Sequence, residues 1–413
     1  MKNFNATIIS KGKKSIISVQ AINKISATKQ IKQKNPTAGI LKIVEGKAPA
    51  NVGGSFANLK KTFASSIDIS HKISSIRQLA VMTDAGISIY DSIVEVGRNT
   101  ENPKLKIIYQ SVANDINVGK SMTESLEPYK EEFGHVALAM TKLGEQTGNI
   151  SGSYHTLADI WESVRDNVRK FKKAIRTPII TLVAMMIAFT ILIMLVVPKF
   201  KEIFEKFNAD LPVPTLILLW LENALNNYGI YILLAMAGML FFFMHQYKNN
   251  PAFKYKIDKL LVHPKFYLIK DIIFYSSMHK YTLIFGELIR AGIPVSEALS
   301  TAVGMVDNSY IKEKLQGVNA DIARGISLSD AFKQTGLFEN MLLQMIKAGE
   351  SSGQLDAMLS KVTQYYDSKF QDLIDNLSTY IEPVLLFFIA GLVLLLALGI
   401  FMPMWDLGKA AKG

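Results

Sequence analysis

Three stretches of the chain are apolar over a length that crosses a bilayer. Thr177 to Pro198 lies uncharged between Arg176 and Lys199, and Pro383 to Trp405 between Glu382 and Asp406. Tyr228 to Met244 is almost wholly apolar, with a softer lead-in from Asn223. About 20 apolar residues in a helix cross the hydrocarbon core, so the pattern predicts spans at 177–198, 223–247 and 383–405. Elsewhere the period is that of amphipathic helices. Ile73, Ile76, Leu79, Ala80 and Met82 recur at three-to-four spacing, and so do Leu105, Ile108, Tyr109, Val112 and Ile116. Pro103 suits the first position of a helix. Ser121-x-x-Glu124 reads as a capping box, and Ser327-x-x-Asp330 as a weaker one. Strand-like alternation is confined to Thr7–Val19.

The chain contains itself twice. Ala85-Gly86-Ile87 matches Ala291-Gly292-Ile293 at an offset of 206, as Gly119 matches Gly325 and Leu126 matches Phe332. One residue then drops out. Phe133 matches Phe338, Gly144-Glu145 and Gly148 match Gly349-Glu350 and Gly353, Pro178 matches Pro383, and Pro198 matches Pro403, all at 205. The slip falls in the polar stretch Glu127 to Glu132, where a loop tolerates it. Each repeat is a helical domain followed by a span, from about Ile69 to Pro198 and from about Tyr275 to Pro403. Gly86, Gly119 and their copies read as helix C-terminal glycines, where φ must be positive.

Lysine and arginine set the orientation. Arg165, Arg169, Lys170, Lys172, Lys173 and Arg176 precede the first span, and Lys248, Lys254, Lys256 and Lys259 follow the second. Lys199 to Asp210 holds three lysines and three acids. Both helical domains are expected inside, with the loop and the C-terminal tail outside. The repeats are then parallel, and the middle span returns the chain between them. The expected class is an all-α membrane protein of two parallel repeats. Each is an antiparallel bundle of about six helices plus a transmembrane helix, with a third connecting span. The expected divisions are a basic N-terminal module and linker (1–68), a first bundle (69–176), a span (177–198), an outer loop (199–222), a second span (223–247), a second bundle (248–382), a third span (383–405) and a tail (406–413).

Composition sharpens this. The chain has 413 residues, 49% of them apolar, and a mean hydropathy of +0.20. The absence of cysteine excludes disulfides, thiolate metal sites and thiol nucleophiles. The net charge of +11 is concentrated: twelve lysines stand against Glu45 and Asp68 in residues 1–68. Such a head suits an anionic lipid surface or an acidic partner, or is simply solvated. It has no arginine and few aromatic residues, which argues against nucleic acid. No signal-peptide pattern opens the sequence, so the head is expected in the cytoplasm.

Candidate chemistry is sparse. Gly119-Lys120-Ser121 lacks the glycine five positions earlier that a phosphate loop needs, since Asn114 stands there, and its copy Gly325-Ile326-Ser327 lacks the lysine. The six histidines show no metal-ligand spacing. No catalytic residue, metal or cofactor is expected. One polar signature repeats, Gly144-Glu145-x-x-Gly148 and Gly349-Glu350-x-x-Gly353. Flanking glycines suggest a tight turn that aims the carboxylate, either at a neighbouring helix N-terminus or at a partner or cation.

These residues carry a resemblance. Arg77-Gln78-Leu79-Ala80 through Ala85-Gly86-Ile87-Ser88 is similar to the first-helix motif of the type II secretion protein F and type IV pilus platform family. So are the Gly-Glu-x-x-Gly turns, Thr177-Pro178 opening the first span, Val197-Pro198-Lys199-Phe200 closing it, Leu211-Pro212-Val213-Pro214-Thr215, and Met402-Pro403 with Trp405-Asp406. The resemblance covers about residues 70–410. Phe171 departs from it, standing where the family favours a smaller aliphatic residue. The resemblance implies a non-enzymatic oligomer in the bacterial inner membrane that binds no nucleotide itself. Its bundles and N-terminus would be cytoplasmic and its C-terminus periplasmic. It would couple a hexameric secretion ATPase to pilin or pseudopilin assembly, alongside other inner-membrane components and membrane lipid. The rival reading is a transporter or channel. Spans without a charged residue at depth argue against it, and a signalling scaffold lacks an outer domain.

Overall fold

The computed structural model describes residues 2–10, 13–21, 26, 28, 39–45, 67–199 and 212–410. The chain divides into two units, Met1–Ser66 and Ile67–Gly413. Most of the expected outer loop, including Phe200 and Leu211 of the family motifs, and the linker lysines Lys47, Lys60 and Lys61 lie outside the described residues.

In the first unit β1 (Lys2–Ser10), β2 (Lys13–Ala21) and β3 (Gly39–Glu45) form an antiparallel sheet in the order β2-β1-β3. The alternating run Thr7 to Val19 falls on the β1–β2 hairpin, whose register pairs Lys2 with Ala21 and Ser10 with Lys13. β3 pairs with the other edge of β1 and shifts register between Thr7 and Ile8. Among the described residues this small sheet is the regular structure that is not helical, and the sequence signalled only its hairpin.

The second unit holds the repeats. The first comprises α1 (Ile69–Asp84), α2 (Ile89–Asn99), α3 (Pro103–Asn117), α4 (Met122–Leu126) with a 3-10 turn at Glu127–Tyr129, α5 (Lys130–Thr147) and α6 (Ile150–Leu195). Next come α7 (Val213–Asn249) and α8 (Pro251–Leu261). The second repeat is α9 (Tyr267–Arg290), α10 (Val295–Gly304), α11 (Ser309–Ala323), α12 (Leu328–Thr335), α13 (Asn340–Ser352), α14 (Leu355–Asp375) and α15 (Leu377–Ala410). The helix bounds repeat with the sequence. α3 and α11 lie 206 residues apart at both ends, whereas α5 and α13 end 205 apart. The slip sits between them: Gly134, at φ 83, breaks α5 at the position where Glu339 precedes the first residue of α13.

In each repeat sequential helices pack on one another, and the bundle closes by α1 packing on α6 and α9 on α14. Local sequence punctuates the helices. Asn102 accepts from the backbone N–H of Lys104 and Leu105 ahead of Pro103. Ser121 and Glu124 complete a reciprocal capping box, and Ser327 caps Asp330 without the return bond, its partner being one methylene shorter than glutamate. The helical stripes read from sequence are the core: Ile73, Ile76, Leu79, Ala80, Leu105, Ile108, Tyr109 and Val112 are buried. Tyr109, Phe133 and Trp161 pack ring against ring, edge-on or tilted, through the first bundle, and Tyr281, Phe285, Phe332 and Phe338 do so through the second, where only Tyr281 and Phe285 stack. The buried side chains of both bundles form one contiguous cluster.

Three helices are long and apolar enough to cross a membrane, and their apolar windows are almost wholly exposed on the protein. The spans meet at a small cluster of Ile193, Val197 and Leu218. There the Thr215 hydroxyl donates to the Gly399 carbonyl at 2.8 Å, and a side chain at Gly399 would collide with Leu218. Close backbone approach at a small residue is how helices pack in lipid. One detail differs from the sequence reading. α7 begins at Val213, so part of the stretch read as outer loop is helical. Pro178 lies inside α6, which begins in the first bundle, and Pro383 lies inside α15, which begins at Leu377 after the turn at Asn376.

Candidate functional site

The repeated glutamates sit in the last turn of α5 and of α13. The Glu145 carboxylate accepts hydrogen bonds from the backbone N–H of Met122, from that of Thr123 at 3.0 Å, and from the Thr123 hydroxyl. Glu350 accepts from the N–H of Leu328 at 2.8 Å and of Ser329 at 3.2 Å, and from the Ser329 hydroxyl at 3.1 Å. The donors are the first amides of α4 and α12, which helix geometry leaves without partners and where the macrodipole is positive. The two glutamates lie in separate bundles and act separately.

The sequence reading of a turn spanning both glycines needs correction. Gly144 and Glu145 are helical, and only Gly148 leaves the helix, at φ 73. Gly144 is glycine for space. A Cβ there would lie 2.9 Å from the Ile150 Cα, because α6 crosses α5 backbone to backbone. At Gly349 a Cβ would lie 2.8 Å from Met358 Cγ. Gly353 ends α13 at φ 71. Gly86, Gly119, Gly292 and Gly325 each follow a helix at positive φ. Gly86 and Ile87 bond back to Thr83 and Met82, and the other three sites repeat this pattern. Pro198 lies half-buried one residue after buried Val197, and Pro403 lies in the helical backbone of α15.

A second arrangement joins the bundles, and the sequence did not announce it. Asn167 of α6 meets His279 of α9 and Gln371 of α14. Gln371 Nε2 donates to Asn167 Oδ1 at 2.9 Å, which orients the amide so that Asn167 Nδ2 faces His279 Nδ1 at 2.9 Å. That nitrogen must accept, so the imidazole proton sits on Nε2, 3.5 Å from Asp367 Oδ1. Lys170 donates to Gln371 at 2.9 Å, and Lys142 pairs with Glu297 at 2.9 Å elsewhere on the seam. Beside these groups lies a cleft of about 300 Å³, lined by Asn167, Val168, Phe171, Tyr247, Ser277 and Phe370 among others. Phe171, the departure from the family pattern, thus lines this cleft.

Burial holds His279 below its ordinary pKa of 6.5, outweighing nearby Asp367. The unfolded chain then binds the proton before the folded one does. Stability from this site is complete above about pH 6.5 and falls as the pH drops below it. Contact between the bundles is therefore expected to loosen on acidification to about pH 5. Hydrogen exchange at α9 and α14 should rise there, and His279→Gln should flatten the dependence. An unchanged dependence in that variant would reject the assignment.

A third arrangement fixes α8. Asp258, buried, accepts from Tyr247 OH at 2.6 Å and from the Ser309 N–H at 2.7 Å, while Asn308 Nδ2 donates to the Asp258 carbonyl at 3.2 Å. One carboxylate thus ties the end of α7 to the start of α11. Its partners lie 11 and 51 residues away, so no local pattern marks it. Among the described residues no group of three or more histidines and acids could hold a metal ion.

Comparison with known proteins supports the same register. The family model of type II secretion system protein F matches residues 75–198 and again 281–403. The matches start 206 residues apart and end 205 apart, the offsets of the internal repeat. The chain is similar to type IV pilus assembly protein PilC of Pseudomonas aeruginosa, 28% identical over 81% of this chain and 88% of that protein. It is 25% identical to type IV pilus assembly protein TapC of Aeromonas hydrophila, over 80% of each chain. It is also 25% identical to type II secretion system protein F of Vibrio cholerae, over 81% of each chain.

Proposed function

The chain belongs to the family of type II secretion system protein F, and we propose that it is the inner-membrane platform of a type IV pilus assembly machine. The observation that carries this reading is the duplicated family domain, matched by pilus assembly proteins over four-fifths of the chain. The charge asymmetry of the loops supports a cytoplasmic N-terminus and bundles, with the outer loop and C-terminus in the periplasm. A cytoplasmic hexameric ATPase supplies the energy and moves the paired bundles. The spans pass that motion to pilin subunits in the bilayer, and the platform works as an oligomer with other inner-membrane components. The reading assigns the chain no catalytic step and no cofactor. Glu145 and Glu350 serve as structural caps that hold α4 and α12 in place for such contacts.

The second reading is the equivalent platform of a type II secretion system, assembling a pseudopilus. The Vibrio cholerae relative favours it, at the same identity as the pilus protein of Aeromonas hydrophila and over 81% rather than 80% of this chain. A clean deletion in the source organism, scored for surface pili and secreted proteins together, separates the two. Lost pili with intact secretion are expected. Lost secretion with intact pili would establish the second reading, and no change in either would reject both.

A further inference from the structure

The corner that follows the second span combines features the platform reading leaves unused. Between Lys248 and Lys270 the chain carries six lysines and a single carboxylate, Asp258. That carboxylate is buried and engaged by Tyr247 and Ser309, so it does not neutralise the surface. Among the described residues, Lys248, Lys256 and Lys265 form no salt bridge. Between these lysines, apolar side chains face outward. Leu260 is 50% exposed, Tyr267 69%, and Phe266 and Ile269 are comparably open.

The height of this corner relative to the bilayer is fixed by contacts. Phe253 of α8 packs edge-on against Phe243, with ring centroids 5.6 Å apart, and Phe243 belongs to the apolar run of the span. Lys254 lies over the Tyr247 ring at 5.9 Å. The start of α8 is therefore level with the last turns of α7, where the span leaves the hydrocarbon. The first turns of α9 reach the same level by another route. Tyr275 is the repeat counterpart of Ile69, so α9 starts eight residues earlier than α1 does. Phe274 packs on Tyr366 of α14. Tyr267 lies two turns before Phe274 on α9, and α14 runs from Tyr366 toward the third span.

We propose that the corner formed by α8 and the first turn of α9 is a docking surface for anionic lipid headgroups of the inner leaflet. Lysines interleaved with exposed aromatic and aliphatic side chains, placed at headgroup height, match what such a surface demands. The ammonium groups meet phosphate, and Phe266, Tyr267 and Ile269 enter the boundary with the acyl chains. The occupant is lipid rather than protein because Phe253, at the start of α8, packs on Phe243 of the apolar run that the bilayer would cover. Asp258 is the clamp that keeps the corner against the second bundle. The first repeat has no equivalent helix among its described residues, so anionic lipid would set the height of the second bundle in particular. The inner leaflet follows from the proposed orientation of the spans, so the inference rests on that part of the reading and holds for either fibre.

The chain has no cysteine, so single labels are clean. The full chain carrying Tyr267→Cys, and separately Ser300→Cys, is labelled with an environment-sensitive fluorophore. It is then reconstituted in mixed bilayers of phosphatidylcholine and phosphatidylglycerol. A nitroxide near the headgroup end of the acyl chain is placed on one lipid or the other. Quenching at 267 is expected to be about fivefold stronger from the anionic lipid than from the neutral one. No quenching from either is expected at 300. Replacing Lys248, Lys256 and Lys265 together by glutamine should bring the ratio at 267 to about one, with the label at 300 unaffected. Equal quenching by both lipids in the unaltered chain would overturn the proposal. So would a label at 267 as distant from lipid as the one at 300, or one shielded only when another machine component is added.

Discussion

Gly144→Val is expected to destabilise the first bundle by about 3 kcal/mol, the upper end of the ordinary range for overpacking. The new Cβ would lie 2.9 Å from Ile150 Cα and 3.2 Å from Ser153 Cβ. The nearest atom is backbone, at the start of the longest helix, so it cannot swing aside. Opposing this is helix propensity, since glycine inside a helix is worse than valine by a few tenths of a kcal/mol. The collision wins by a wide margin. Gly317→Val in α11 supplies the comparison, because nothing lies within 4 Å of its Cβ. Urea unfolding of the full chain in detergent, followed by far-ultraviolet circular dichroism, should separate the two variants. Equal midpoints would mean that α5 and α6 do not cross as closely as described.

Glu145→Ala is expected to cost about 2 kcal/mol, the middle of the range for hydrogen bonds to a charged group. It strands two backbone amides and the Thr123 hydroxyl at the start of a five-residue helix. Glu350→Ala should cost less, about 1 kcal/mol, because that side chain is exposed and water replaces much of what it gives. The same unfolding experiment tests the order. A larger loss at Glu350 would show that burial does not set the strength of these caps. Glu145→Gln should recover part of the loss, since an amide oxygen still accepts but carries no charge for the helix dipole.

The residues that repeated in the sequence proved easiest to place. Gly86, Gly119 and their copies mark helix ends because only glycine takes positive φ without strain, so backbone conformation is written directly into residue type. The spans and the core stripes were equally plain, being local periodicities. Gly144 misled for an instructive reason. Glycine serves both for conformation and for close approach, and the sequence does not say which. Asn167, His279, Asp367 and Gln371 stayed invisible, since they converge from positions up to 204 residues apart. Asp258 did too, because a buried acid that caps a distant helix leaves no periodic trace.

The prolines also bear on how force would travel. α6 runs without interruption from the bundle into the bilayer, with about 40 Å before Thr177 and about 28 Å after it. Such a rod pivoting at the membrane surface is a lever with arms of similar length. A 3 Å push at its inner end would move the outer end roughly 2 Å the other way by simple proportion. Pro178 sits at that pivot and lacks the N–H that would hold the Ala174 carbonyl. Under a small load the rod tilts as one piece. Under a larger one it would yield first at the proline, which would cap any force passed from the bundle to the far side.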